Sequence, residues 1–187
     1  VDWRRRTFYT GGFSRFGRCA RRPGPRQRDE VAVVVGRGGT SVRAGDILRI
    51  AASTHHRWDV VGLTGPSSDR VVFHGDGDPW PYLCRAGTAV VSAGHSALCE
   101  AAAADVPTIA VAEQRPFDEQ RRKVDVLARR GAVRAAPPWS EPDAWGPLLA
   151  DIRRDPPVWR DFASRDGARV AALHLADLAS RLSTGSS

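Results

Sequence analysis

The stretch VVSAGHSALCEAAAADVPTIAV, residues 90–111, sets a polar turn, Gly94-His95-Ser96, between a β-type apolar run and an alanine-rich helical run, with the carboxylate of Glu100 interrupting the alanines. A strand, a tight turn and a helix in that order serve two chemistries: a nucleophile mounted on the turn, or an anion cradled at the helix start. In the second case Gly94 lets a ligand approach the backbone. The N–H groups of about His95 to Ala97 are then orphan donors of the first turn, aimed where a diphosphate would lie. Glu100 falls one turn deeper, near the same opening, where a carboxylate can accept two hydrogen bonds from a vicinal diol such as ribose. The helix dipole alone also favours acids in first turns, which is the ordinary explanation of Glu100.

Gly94-His95-Ser96-Ala97-Leu98 resembles the G-x-S-x-G nucleophile elbow of α/β-hydrolases but lacks its final glycine, and Leu98 would crowd the contact between strand and helix. A triad should continue with an acid and then a histidine. The only histidine after Ser96 is His174, inside an amphipathic helical stretch. The phosphate cradle is therefore the better reading. A second glycine turn, Gly36-Arg37-Gly38-Gly39, offers another phosphate contact, without the full G-x-G-x-x-G spacing and equally explained as a plain strand-to-helix turn. Asp76-Gly77-Asp78 has the spacing of a metal-binding pair but no supporting ligands, so neither metal nor cofactor is expected.

The elements that must position these residues alternate. An apolar run at 31–35 enters the glycine turn as a buried parallel strand, and a helix follows at about 43–54. Short β runs at 59–63 and 70–73 are separated only by TGPSSD, shorter than a crossover between parallel neighbours normally needs. Either one strand is misassigned or a helix has been trimmed to a loop. After a loop at 74–87 come a strand at 89–91, the polar turn, a helix at 96–104, a strand at 108–111, the loop EQRPFDEQ, a helix to about 130 closed by Gly131, and a short run at 132–134. Ser140 and Asp143 have capping-box spacing, and Val170, Leu173, Leu178 and Leu182 mark the apolar side of a last helix before a frayed STGSS. Strands alternating with helices imply a doubly wound, mostly parallel α/β sheet of Rossmann-like type. The expected organisation is a basic linker at 1–29, a nucleotide-sugar-binding α/β domain at 30–136, and a helical tail at 137–187 packing on that domain.

Composition narrows the function classes. The chain has 187 residues, of which 42% are hydrophobic and 26% charged. That length and balance support one well-buried core, and the apolar runs are too short to span a bilayer. The N-terminus has no secretory pattern, and the chain, which holds no Met, reads as though cut from something longer. Cys19, Cys84 and Cys99 lack C-x-x-C spacing and fit reduced thiols in a cytoplasmic protein. Of the formal charge of +7, residues 1–30 carry +6, from nine arginines against three acids. That charge lies in a Pro/Gly-punctuated segment, GRCARRPGPRQRDE, and Lys123 is the only lysine of the chain, so the net charge is a weak argument for a nucleic-acid partner.

Taken in order, DPWPYL, AGTAVVSAGHSALCEAAAADVPTIAVAEQRPFDEQ and LARRGA resemble the C-terminal, donor-binding domain of GT-B glycosyltransferases. The nearest branch is the one containing the UDP-N-acetylglucosamine transferase of peptidoglycan synthesis. The resemblance covers about residues 30–135, and GGFSRF at 11–16 is similar to the interdomain linker. It implies that Gly94, His95 and Ser96, with Gly38 and Gly39, meet the nucleotide diphosphate and that Glu100 binds ribose. It further implies that Asp118, Glu119 and Gln120 hold hydroxyls of the donor sugar, and that the loop at Phe73 and His74 meets the base. GRGGTS lacks a further glycine of that family. The family's acceptor site and catalytic base lie largely on an N-terminal domain. This chain is therefore expected to bind a nucleotide sugar, with a UDP-sugar as the first choice, and to need that domain or a separate subunit to transfer a hexosyl group. The short apolar runs give no transmembrane segment, and peripheral membrane contact is left open. A non-catalytic nucleotide-binding module, and an esterase using Ser96, are the alternatives.

Overall fold

The computed structural model describes residues 7–17, 19, 25–36, 38–159, 162 and 166–184. Arg4, Arg5, Arg6, Arg18, Arg21 and Arg22 of the stretch read as linker, Arg37 of the glycine turn, and the last three residues of the tail lie outside them.

Among the described residues six strands form one sheet: β1 (Gln27–Val34), β2 (Arg57–Val61), β3 (Val71–Phe73), β4 (Ala86–Ser92), β5 (Thr108–Val111) and β6 (Arg134–Ala135). Their order is β3-β2-β1-β4-β5-β6, and every pairing is parallel. This is the doubly wound order in which the chain starts at the centre, builds one half outward, and returns to build the other. The α-helices among the same residues are α1 (Ala44–Ala52), α2 (Trp80–Arg85), α3 (His95–Ala104), α4 (Glu119–Arg129), α5 (Trp145–Arg154) and α6 (Gly167–Thr184).

The period-2 pleat divides each apolar strand between two cores. In β1, Ala32 and Val34 face a cluster that holds Leu83 of α2, Leu98 and Ala101 of α3, and Val124 and Leu127 of α4. Val31 and Val33, with Val35 just beyond the strand, face the opposite cluster with Ile47 and Ile50 of α1 and Trp145, Leu149 and Ile152 of α5. Burial on both faces explains why the run has no polar alternation. Each fully buried Val, Leu or Ile contributes about 1.5–3 kcal/mol of transfer free energy, so the apolar run fixes β1 as the central strand.

Three local expectations change and one open alternative is settled. β1 begins at Gln27, inside the stretch read as linker. The loop at 74–87 contains α2, entered at Pro79 with a second proline in its first turn, where a missing N–H costs nothing. The connection between β2 and β3 is a helix trimmed to a loop: residues 62–70 link two parallel neighbours. The Ser68 hydroxyl accepts from Val71 N at 3.2 Å and the Ser67 hydroxyl from Phe73 N at 3.3 Å, so serine side chains hold the start of β3 where a helix would otherwise lead in. Gly62 at its start has φ +88, and a Cβ there would lie 2.2 Å from the Val35 carbonyl oxygen. Finally, the capping box at Ser140 and Asp143 is not formed. A 3-10 turn at Pro142–Ala144 precedes α5, and no side-chain cap is made at either N-terminus.

Two helix ends follow expectation. Gly131 takes φ +69 after α4, with Gly131 N to Ala128 O and Ala132 N to Leu127 O closing a Schellman motif. In the tail, α5 is buried through Trp145, Leu149 and Ile152, whereas Leu173, Leu175 and Leu178 of α6 are exposed. The apolar side of α6 is therefore not covered by the sheet domain; His174 stacks on Phe8 of the N-terminal segment at 3.9 Å. Among the described residues no helix is long and apolar enough to cross a membrane.

Candidate functional site

β1 and β4 are neighbours in the sheet, yet their following connections leave in opposite directions. A crevice must open beyond their carboxyl ends, and open parallel sheets bind ligands in such crevices. The structure has a cleft of about 460 Å³ there, reached by Gly36 and Gly38 after β1, Gly62 after β2, Asp76 and Gly77 after β3, and Gly94, His95, Ser96 and Glu100 of the β4–α3 turn.

The turn supplies backbone donors. Gly94 is the N-cap of α3 with φ −65 and ψ 147 and gives no side-chain cap, so the first N–H groups of the helix have no side-chain partner there. A Cβ placed on Gly94 would meet nothing within 4 Å. Leu98 is fully buried in the core, as its apolar type dictates. Ser96 is exposed, and no hydrogen bond among the described residues joins its hydroxyl to His174. His95 Nε2 instead approaches Cys99 Sγ at 3.5 Å. Burial pushes the Cys99 thiol up to about 11, and the nearby Lys123 opposes that only in part.

Glu100 lies one turn into α3 with its side chain 11% exposed. Nothing in the sequence marks its partner: Arg15 Nε donates to Glu100 Oε1 at 3.0 Å across 85 residues of sequence. The Arg15 guanidinium also lies over the Phe16 ring, which is buried and stacks on Trp80 at 4.8 Å. The arginine is thus anchored by its neighbour. Burial holds the Glu100 carboxyl above its ordinary range, with the Arg15 charge pulling it down and Asp78 pushing it up.

The glycine turn after β1 is braced from below. Glu113, buried just past β5, accepts from the Thr40 and Ser41 hydroxyls and from Ser41 N, while Arg115 Nη2 donates to the carbonyls of Gly38 and Gly39. Gly38 reaches the cleft, and Gly39, with φ +90, stands behind it. Neither Glu113 nor Arg115 stands out in the sequence, although an acid two residues past a parallel strand stands at the end where ligands bind.

Asp118, Glu119 and Gln120 open α4 and are not among the residues that line the cleft. Gln120 is buried, and its Oε1 accepts from Glu113 N at 2.9 Å. Glu119 is exposed and pairs with Lys123, whose hydrogen bond holds the carboxyl below the usual range; the His95 charge contributes to the same shift. Lys123 Nζ also donates to Ala93 O at 3.4 Å, tying α4 to the β4–α3 turn. Phe117 and Asp118 both adopt left-handed φ, 61° and 53°, and Phe117 is 92% exposed. Two consecutive non-glycine residues in that region cost about 1 kcal/mol or more each, strain that concentrates at functional loops.

Phe73 and His74 lie at the end of β3, just before Asp76 and Gly77, and stand outside the cleft lining. His74 Nε2 pairs with Asp59 at 2.7 Å, its Nδ1 with the Tyr82 hydroxyl at 3.1 Å, and its ring stacks on Tyr82. Arg85 closes the network by bridging Asp59 and Glu30. Backbone N of His74 donates to Val60 O, so the residue fixes the loop that forms the wall.

Comparison with protein-family models and with curated proteins gives no match. Solved structures do match in fold. The glycosyltransferase VinC in complex with DTDP superposes with a TM-score of 0.53 at 16% identity, over 83% of this chain and 43% of that one. CalG4, the calicheamicin glycosyltransferase, superposes with a TM-score of 0.51 at 22% identity, over 71% of this chain and 36% of that one. The chain spans less than half the length of either, and the likeness is one of fold.

Proposed function

We propose that the chain is the donor-binding half of a metal-independent GT-B glycosyltransferase, holding a nucleoside diphosphate sugar for hexosyl transfer to an acceptor bound by another domain or subunit. The observation that carries this reading is the convergence on one cleft, at the β1/β4 switch point, of two glycine turns, the open N-terminus of α3 and the buried carboxylate of Glu100. In this reading the α3 N–H groups and Gly38 meet the diphosphate, with Gly39 behind it, and Glu100 takes ribose hydroxyls. Asp118, Glu119 and Gln120 face the sugar, and the loop after Phe73 and His74 faces the base.

Departure of the diphosphate builds negative charge on its oxygens. Backbone donors already aimed at that position stabilise the charge without reorganising, which lowers the barrier to leaving-group departure. UDP is the nucleotide favoured by the sequence resemblance to the peptidoglycan branch. Calorimetry with UDP, UDP-sugars and dTDP tests the reading: one-to-one binding supports it, and no binding by any of them sinks it. A non-catalytic nucleotide-binding module shares that outcome and separates from the enzyme when the chain is joined to an acceptor domain, where only the enzyme transfers sugar. The esterase alternative is disfavoured because no hydrogen bond among the described residues joins Ser96 to a histidine, while the His174 ring stacks on Phe8.

A further inference from the structure

At the opposite end of the sheet, three side chains from two elements converge. Asp29 lies early in β1, and His55 and His56 form the turn between α1 and β2. One ligand-capable atom from each of the three lies within 4.8 Å of the others. His56 is only 3% exposed, yet neither Nδ1 nor Nε2 has a hydrogen-bond partner. Leaving a buried polar nitrogen unpaired costs about 1–3 kcal/mol, so a folded chain with two such atoms on one ring needs a reason.

The other two ligands show where a cation would stand. Arg153 at the end of α5 donates from Nη1 to Asp29 Oδ1 at 3.0 Å and points the same nitrogen at His55 Nε2, 3.3 Å away. In the tautomer in which Nε2 accepts, its lone pair faces this guanidinium, and Asp29 Oδ1 lies 3.6 Å from the same nitrogen. A positive group thus already occupies the focus of one imidazole lone pair and one carboxylate. Arg153 comes from a helix terminus with its side chain 35% exposed, so it has solvent to swing into.

We infer that Asp29, His55 and His56 form a binding site for a divalent transition-metal ion of the zinc class, with Arg153 as the gate that the ion displaces. Two imidazoles and a carboxylate are a donor set that suits Zn²⁺ and leaves a fourth position for water. The ion would tie β1 to the α1–β2 turn, and it would give the His56 ring the partner it lacks. The site is distant in the fold from the nucleotide cleft and does not rest on the glycosyl-transfer reading.

The test uses the full 187-residue chain without a polyhistidine tag, titrated with Zn²⁺ against a chromophoric chelator and with Co²⁺ followed by visible absorption. One equivalent should bind with a dissociation constant on the order of micromolar, and Co²⁺ should show the intense d–d bands of four-coordination. His55→Ala and Asp29→Asn, both at exposed positions and so safe for folding, should each weaken binding by about tenfold or more. Arg153→Ala should tighten it. Absence of one-to-one binding, or affinity unchanged in both His55→Ala and Asp29→Asn, overturns the proposal.

Discussion

Replacing Glu100 by alanine should erase a preference for UDP over 2′-deoxy-UDP. The Glu100 side chain is 11% exposed, and its Oε1 is already held by Arg15, so Oε2 is the oxygen left for an incoming hydroxyl. A hydrogen bond to a charged acceptor in a half-dry site contributes about 1.5–3 kcal/mol. The Arg15 contact dilutes the carboxylate, which favours the lower end and gives roughly a tenfold preference for the nucleotide that carries the 2′-hydroxyl. Calorimetry on both nucleotides reads the ratio directly: about ten in the native chain, about one in Glu100→Ala, and between them in Glu100→Gln, where the amide still offers a neutral acceptor. Acidification should act like the mutation. Because the Glu100 carboxyl titrates above the ordinary glutamate range, the preference is present while the group is ionised and fades as pH falls through that raised value. A native ratio near one, or a tenfold ratio that survives in Glu100→Ala, would refute the assignment of this carboxylate to ribose.

Four further outcomes follow from the same geometry. The ion pair with Glu100 leaves the Arg15 side chain 62% exposed and so screened by solvent. Arg15→Ala should therefore weaken UDP binding by only about two- to fivefold; unchanged or tighter binding in calorimetry would recast Arg15 as a plug. Gly94→Ala should fold with a Tm within a few degrees of the native value, since φ −65 suits alanine and its methyl meets nothing, while alanine is a poorer N-cap than glycine. Its UDP affinity should nonetheless drop by roughly tenfold or more as that methyl enters the cleft. The Arg26 guanidinium donates to the carbonyls of Leu83, Cys84 and Ala86 at the end of α2 and of Ala104 and Asp105 at the end of α3. Losing charged donors to that many carbonyls in Arg26→Ala should cost about 1.5–3 kcal/mol, read as a Tm several degrees lower in a thermal melt; an unchanged Tm would deny the cap. A disulfide reagent at about pH 8 should label Cys19 alone in the native protein and all three cysteines after unfolding. Native labelling of Cys99 would contradict its burial and raised thiol.

Much of the fold was legible because it is encoded locally. β5 falls at the residues its apolar run marks, α3 begins one residue before the expected start, and Gly131 ends α4. The misreadings have local causes as well. Pro79 and Pro81 make a short helix look like loop, although prolines in a first turn lose nothing. The serines of the 62–70 connection hold the start of β3 where a helix would otherwise lead in. The arginines of the N-terminal stretch read as linker charge because nothing in their neighbours reveals that Arg26 caps two helices or that Arg15 enters the cleft.

Residue type and local period were enough for the alternation of strands and helices, the glycine turns at Gly36 and Gly94, and the placement of Glu100 one turn into a helix. Each of these is settled by interactions that act over a few positions. Long-range packing was needed to put β1 beside β4. That pairing brings Gly36 to Ser92 and Gly94, and it makes two separate turns into one cleft. The same packing brings Arg15 to Glu100, and Asp29 to His55 and His56 at the other end of the sheet. Strand order is set by which apolar faces bury together over long loops, and side chains so distant in sequence become neighbours only when that packing is complete.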